Sequence, residues 1–169
     1  MAGRIASTAA VLCAVPVAVL GGYGDKVDSL PTWYERTVLT LTNACRMDPI
    51  EYRDSIMDVS GILLPTNYPA VDPAYSHMDL MRSAHDHSVD MATECGMQHN
   101  SCDGTSWYDR ITAYYTVSGT VAENVAYGQS TPQSVVATWL WDRGAADGSS
   151  GDGHRRNIMN DAYRDIGVG

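Results

Sequence analysis

Four side chains in this sequence join acid–base or metal-binding chemistry to a local turn signal. His99 lies between Cys95 and Cys102, after a long helical stretch, and His154 opens Gly153-His154-Arg155-Arg156-Asn157-Ile158. Glu123 sits in Ala122-Glu123-Asn124-Val125-Ala126, an acid inside an otherwise apolar run, and Asp142 ends Trp139-Leu140-Trp141-Asp142. A carboxylate is costly to bury unpaired, so Glu123 needs a partner or lines a cleft. Two imidazoles with one or two carboxylates can hold a divalent ion and leave positions open for water. His99, His154 and Glu123 are therefore candidate metal ligands, with Asp142 as a further candidate acid. Zinc is the first expectation because neutral imidazole suits it. Each residue also has an ordinary explanation: His99 packed under a loop, Glu123 accepting a helix-cap bond, His154 on a loop surface.

Other groups carry weaker signals. Cys95-x3-His99-x2-Cys102 reads as a disulfide closing a short ring around His99. Zinc on these three residues is the sharper alternative, but a structural zinc site needs a second ligand pair at regular spacing and none follows. Asp147 and Asp152 lie in the glycine-rich stretch 143–153, read as a flexible loop; its spacing is not that of an EF-hand and it has no closing Glu for calcium. His85 and His87 are two apart, cannot share a helix face, and are read as solvated.

The elements that must position these groups follow from periodicity. Apolar residues at Trp33, Val38, Leu41 and Ala44 predict a helix over 30–44. Asp48-Pro49-Ile50-Glu51 is a helix start running to about Met57, and prolines at 65, 69 and 73 mark an irregular loop. Ser76 is the expected cap of the longest helix, which faces inward with Leu80, Ala84, Ser88, Met91 and Cys95 and ends at Gly96. A short helix to about Tyr114 follows, then an extended stretch over 119–128. Thr131-Pro132 starts a helix with Val135, Val136, Trp139 and Leu140 inward, and a strand comes at 165–169. The expectation is one α+β domain.

The chain has 169 residues, a length suited to one domain, with 11 Lys plus Arg against 20 Asp plus Glu and a formal charge of −9. That field repels phosphate backbones and anionic headgroups, so neither nucleic acid nor an anionic membrane surface is an expected partner. Residues 1–22 carry one basic residue, an apolar run from Ile5 to Leu20 and a small-residue exit, the pattern of a signal peptide. The run is short for a membrane helix and is interrupted by Pro16. The expected mature domain is 23–169, secreted or in the cell envelope. It keeps Cys45, Cys95 and Cys102, so one pair leaves one thiol over.

Ala122-Glu123-Asn124-Val125-Ala126, Trp139-x-x-Asp142, Gly153-His154-Arg155-Arg156-Asn157-Ile158 and Tyr163-Arg164-Asp165-Ile166-Gly167-Val168-Gly169, in this order, resemble the CAP superfamily, the cysteine-rich secretory, antigen 5 and pathogenesis-related 1 proteins. The likeness is nearest to the bacterial SCP-like extracellular branch and covers about residues 35–169. It implies an α-β-α sandwich with a small antiparallel sheet and a cleft holding His99, Glu123, Asp142 and His154. Asp142 stands where the family usually has Glu and is one methylene shorter. Related domains continue past the Gly-Val-Gly strand into further strands, so a sheet lacking its last strand or strands is expected. The implied function is non-catalytic binding of a divalent ion or small ligand by a secreted domain. One alternative is a metal-dependent hydrolase, a peptidase, with Glu123 as general base. Another is a module that binds an envelope component or protein partner through the sheet edge, with a vestigial cleft.

Overall fold

Thr32 and Glu35 open the first helix by capping each other: the Thr32 hydroxyl accepts from the Glu35 N–H, and the Glu35 carboxylate accepts from the Thr32 N–H. The structure, a computed structural model, describes residues 29–169; the leader expected at 1–22 lies outside the described residues. Helix α1 spans Trp33–Met47 and buries Val38, Thr42, Cys45 and Arg46 along one stripe. Trp33, expected inward, is 63% exposed. It precedes Val38 by five residues, which at 3.6 residues per turn puts it well round the helix from the buried stripe.

Asp48 caps α2 (Pro49–Glu51) through its carboxylate, and a π-helical turn, Tyr52–Met57, extends it. Strand β1 (Tyr75–Ser76) leads into α3 (Met78–Asp90). The cap of α3 is His77, whose Nδ1 accepts from the Asp79 N–H, and not Ser76, which is held in β1. A π-helical turn, Met91–Cys95, continues α3 and stops at Gly96, whose positive φ of 73° suits glycine. Helix α4 (Trp107–Tyr114), α5 (Pro132–Trp141) and α6 (Gly153–Ile158) follow, α4 capped by Ser106 and α5 by Thr131. Strand β2 is Asp165–Ile166.

Helix α1 packs on α5 and α5 on α6, while α3 packs on α4. Val38, Cys45, Tyr52, Leu63, Val136, Leu140 and Ile158 meet in the core of the first group. The short β1–β2 pairing lies against α3, giving the α+β layering that the resemblance implies. Its two strands run parallel, with Tyr75 opposite Asp165 and Ser76 opposite Ile166, where an antiparallel sheet was expected. Everything from α3 to α6 separates them, and a long crossover is what parallel pairing requires. Beyond β2 the chain lies directly on α3: a Cβ at Gly167 would collide with the Leu80 carbonyl, and one at Gly169 with His85.

Two polar clusters fix the connections. Buried Arg46 donates to the carbonyls of Asp72 (2.9 Å), Ile158 (2.5 Å), Asn160 (3.0 Å) and Tyr163 (3.1 Å), stitching α1 to the end of α6. The stretch 143–153, read as flexible, is instead tied down. The Asp147 carboxylate accepts from the N–H groups of Leu63 (3.1 Å) and Leu64 (2.7 Å) and pairs with Arg155 (3.1 Å). Asp152 accepts from the Tyr68 hydroxyl and the Gly148 N–H and pairs with Arg156. Both carboxylates are thus engaged by N–H, O–H and guanidinium donors. Their partners Leu63, Leu64 and Tyr68 are more than eighty residues away in the chain, beyond the reach of any local pattern.

Candidate functional site

The site is assembled from four local devices. The expected disulfide joins Cys95 to Cys102, closing the segment that carries His99. The Cys102 N–H donates to Asp90 at 2.7 Å, which pins that ring to the end of α3. Asp90 lies close to both sulfurs, but the sulfurs are bonded to each other, so the zinc alternative on Cys95, His99 and Cys102 is set aside. On α4, the buried side chain of Arg110 donates to the His99 carbonyl (2.9 Å) and the Ser101 hydroxyl (3.1 Å), and it forms an ion pair with Glu123.

Glu123 belongs to the apolar segment 119–128, which forms no strand; side chains anchor it instead. The Trp139 indole donates to the Val125 carbonyl at 3.1 Å, and the Asn124 amide donates to the His154 carbonyl at 3.0 Å while accepting from Asn157 at 2.8 Å. Glu123 receives His99 Nδ1 on Oε1 at 2.9 Å and Arg110 on Oε2. An acid in an apolar run does find its partner, as its burial cost demands.

At the end of α5 the chain turns sharply, with Asp142 and Arg143 both at positive φ (47° and 56°). The turn aims the Asp142 carboxylate at the start of α6, where Oδ1 meets His154 Nδ1 at 2.6 Å and Oδ2 accepts from the Arg155 N–H at 3.1 Å. The sequence marks His154 but not the short helix that carries it.

The result is two carboxylate–imidazole pairs, Glu123–His99 and Asp142–His154, linked through Asn124. A carboxylate at Nδ1 assigns the ring proton to that nitrogen and leaves the Nε2 lone pair free, the arrangement seen behind metal-binding histidines. The site residues are not gathered into one cage. Among the described residues, no three of the donor atoms of His99, Glu123, Asp142 and His154 lie within 4.8 Å of one another. Both oxygens of Glu123 and of Asp142 already accept bonds, which suits orienting carboxylates better than ligands or a general base. Among the described residues these four side chains thus form two separate pairs and not a preassembled four-ligand site.

Sequence reasoning missed Arg110, which no local signal marks: its carboxylate partner sits 13 residues on, in another element. It also misjudged His87, which is buried, with Nε2 at 3.0 Å from the Gln98 carbonyl. His85 faces Glu35 at 3.6 Å. The leftover thiol, Cys45, is buried against Met159, and burial pushes its pKa up to about 12.

Helices layered on a scant sheet, with two histidine–acid pairs joined through Asn124, define a class to which known proteins also belong. The family model for CAP, the cysteine-rich secretory protein family, matches residues 41–169, and the chain belongs to that family. It is similar to the protein named "Uncharacterized protein YkwD" from Bacillus subtilis (strain 168), with 29% identity over 136 residues, 80% of this chain. The chain spans 42% of that relative's length. No solved structure matches it. Among the described residues no helix is long and apolar enough to cross a membrane.

Proposed function

We propose that this is a secreted CAP domain that binds a divalent ion, zinc first, without catalysis, using Nε2 of His99 and of His154. The observation that carries this reading is the matched orientation of the two rings. Each gives its Nδ1 to a carboxylate, at 2.9 Å and 2.6 Å, and each remains partly exposed. Glu123 and Asp142 act behind the rings, fixing the tautomer and raising the basicity of Nε2. Asp142, though shorter than Glu, is long enough for that role. When bound, the ion would supply charge and open positions for a small ligand or an envelope component. Export is supported by the signal-like pattern of residues 1–22 and by the description of the family as secretory.

Isothermal titration with zinc tests the reading. Saturable binding is expected at pH 7.5 and weaker binding at pH 5.5, because an imidazolium has no lone pair for the ion and free imidazole titrates near pH 6.5. His99→Ala and His154→Ala should each weaken binding at least tenfold. Equal heats at both pH values, or unchanged binding in the double variant, would refute it.

A further inference from the structure

The end of α3 carries a feature that the histidine–acid pairs do not use. After Asp90 the helix widens into the π-helical turn Met91–Cys95, closed by a bond from the Gly96 N–H to the Met91 carbonyl at 2.9 Å. Such turns are rare and recur at functional sites. At the 3.6 residues per turn of an α-helix, positions five apart point well away from each other. The wider turn instead brings Cys95 round to Asp90, and the disulfide adds Cys102. One donor atom each of Asp90, Cys95 and Cys102 lies within 4.8 Å of the others, and among the described residues no other three His, Cys, Asp or Glu side chains converge so closely.

Two details single out this cluster. Asp90 Oδ2 accepts from the Cys102 N–H at 2.7 Å, but among the described residues Oδ1 has no partner and no cation pairs with the carboxylate. The Gln98 side-chain amide donates to Cys95 Sγ at 3.2 Å, the kind of support that a metal-bound thiolate receives. Reduction changes the electrostatics. A dithiol reductant supplies two electrons and two protons: its own sulfurs join, the Cys95–Cys102 bond breaks and two thiols form. As thiolates beside Asp90 they would put three negative charges within 4.8 Å, which is repulsive unless a cation takes them. Thiolates select thiophilic ions, zinc among them. A tetrahedral ion with Zn–S bonds of about 2.3 Å sets its two sulfurs about 3.8 Å apart. Side-chain rotation at Cα atoms 5.5 Å apart reaches that spacing.

We propose that, once Cys95–Cys102 is reduced, Asp90, Cys95 and Cys102 bind a thiophilic divalent ion, zinc, with water as the fourth ligand. Two thiol protons pass to solvent as the ion binds. The segment that carries His99 is then clasped in either redox state, by a covalent bond or by the ion. Disulfides persist in oxidising compartments, so the ion is taken up only where thiols stay reduced. No ligand is shared with the histidine–acid pairs: His99 stays outside the cluster, held at Nδ1 by Glu123.

The test uses the full chain, reduced with a phosphine, freed of it without oxygen, and titrated with cobalt(II). Sulfur-to-cobalt charge transfer absorbs in the near ultraviolet and imidazole–cobalt does not, so this site and the histidine pairs fail or stand separately. The band is expected at one equivalent in the reduced chain, absent from the disulfide form, and bleached by zinc. Asp90→Asn should weaken cobalt binding at least tenfold, and the band should persist in Cys13→Ser with Cys45→Ala. Amide exchange over 96–101 should quicken on reduction and slow at least tenfold when zinc is added. No band in the reduced chain, a band kept in Cys95→Ser with Cys102→Ser, equal affinity in Asp90→Asn, or exchange that zinc leaves unchanged overturns the proposal. If reduction unfolds the chain, recovery of its helical circular dichroism on adding zinc supports the site, and failure to recover overturns it.

Discussion

Arg110→Met is the most informative single change at the histidine–acid site. It keeps the length of the side chain and removes a guanidinium that makes three contacts, to the His99 carbonyl, the Ser101 hydroxyl and the Glu123 carboxylate. Hydrogen bonds to charged groups contribute about 1.5–3 kcal/mol each, and breaking a buried ion pair costs roughly 3–5 kcal/mol. Glu123 is 13% exposed and keeps His99 as a donor, which softens the loss. The guanidinium Nε is buried with no partner, an existing cost that the variant relieves. A net loss of about 2–4 kcal/mol is expected, or roughly 5–15 °C in Tm for a domain of this size. A double-mutant cycle with Glu123→Gln, read by urea denaturation, should return a coupling of about 1.5–3 kcal/mol. Arg110→Lys should recover less than half of the loss, because an ammonium cannot reach three acceptors with a planar fork. A coupling below about 0.5 kcal/mol would refute the view that Arg110 holds Glu123 in place.

Arg46→Met leaves four carbonyls without their donor and should cost about 3 kcal/mol or more in urea denaturation; a loss under about 1 kcal/mol would show that those bonds are replaced by water. Cys45, with its pKa pushed up to about 12 by burial, should alkylate about a thousandfold more slowly in the native chain at pH 8 than after unfolding, read at that residue by peptide mass spectrometry. A difference under tenfold would contradict its burial. Burial works against ionisation of Asp152, but bonds from Tyr68, the Gly148 N–H and Arg156 outweigh it and hold the carboxyl below the usual range. A depressed native pKa adds stability above the unfolded value near pH 4 and loses it as pH falls through the native one. Asp152→Asn should therefore show a shallower drop in urea midpoint between pH 4 and 2 than the parent chain; equal slopes would refute this.

Where side chains act within a few residues of one another, the sequence was enough. The cap and proline at Asp48-Pro49, the stop at Gly96, the start at Thr131-Pro132 and the disulfide around His99 are all local chemistry, and each is found where the residue pattern put it. The family likeness also located the residues that become the two carboxylate–imidazole pairs. Trp33, His87 and the stretch 143–153 were misjudged because burial there depends on what arrives from elsewhere. Helical phase turned Trp33 outward, Gln98 covered His87, and Leu63 and Leu64 received Asp147.

Thus the linear order of residues determined most of the segments that become helices, α6 excepted, and which imidazoles and acids are available, since these depend on dihedral preference and near-neighbour spacing. Tertiary structure alone decided that Arg110 would restrain Glu123 and that each histidine would face its own acid. Those outcomes depend on the distance between elements far apart in the chain, and periodicity within one element carries no information about that distance.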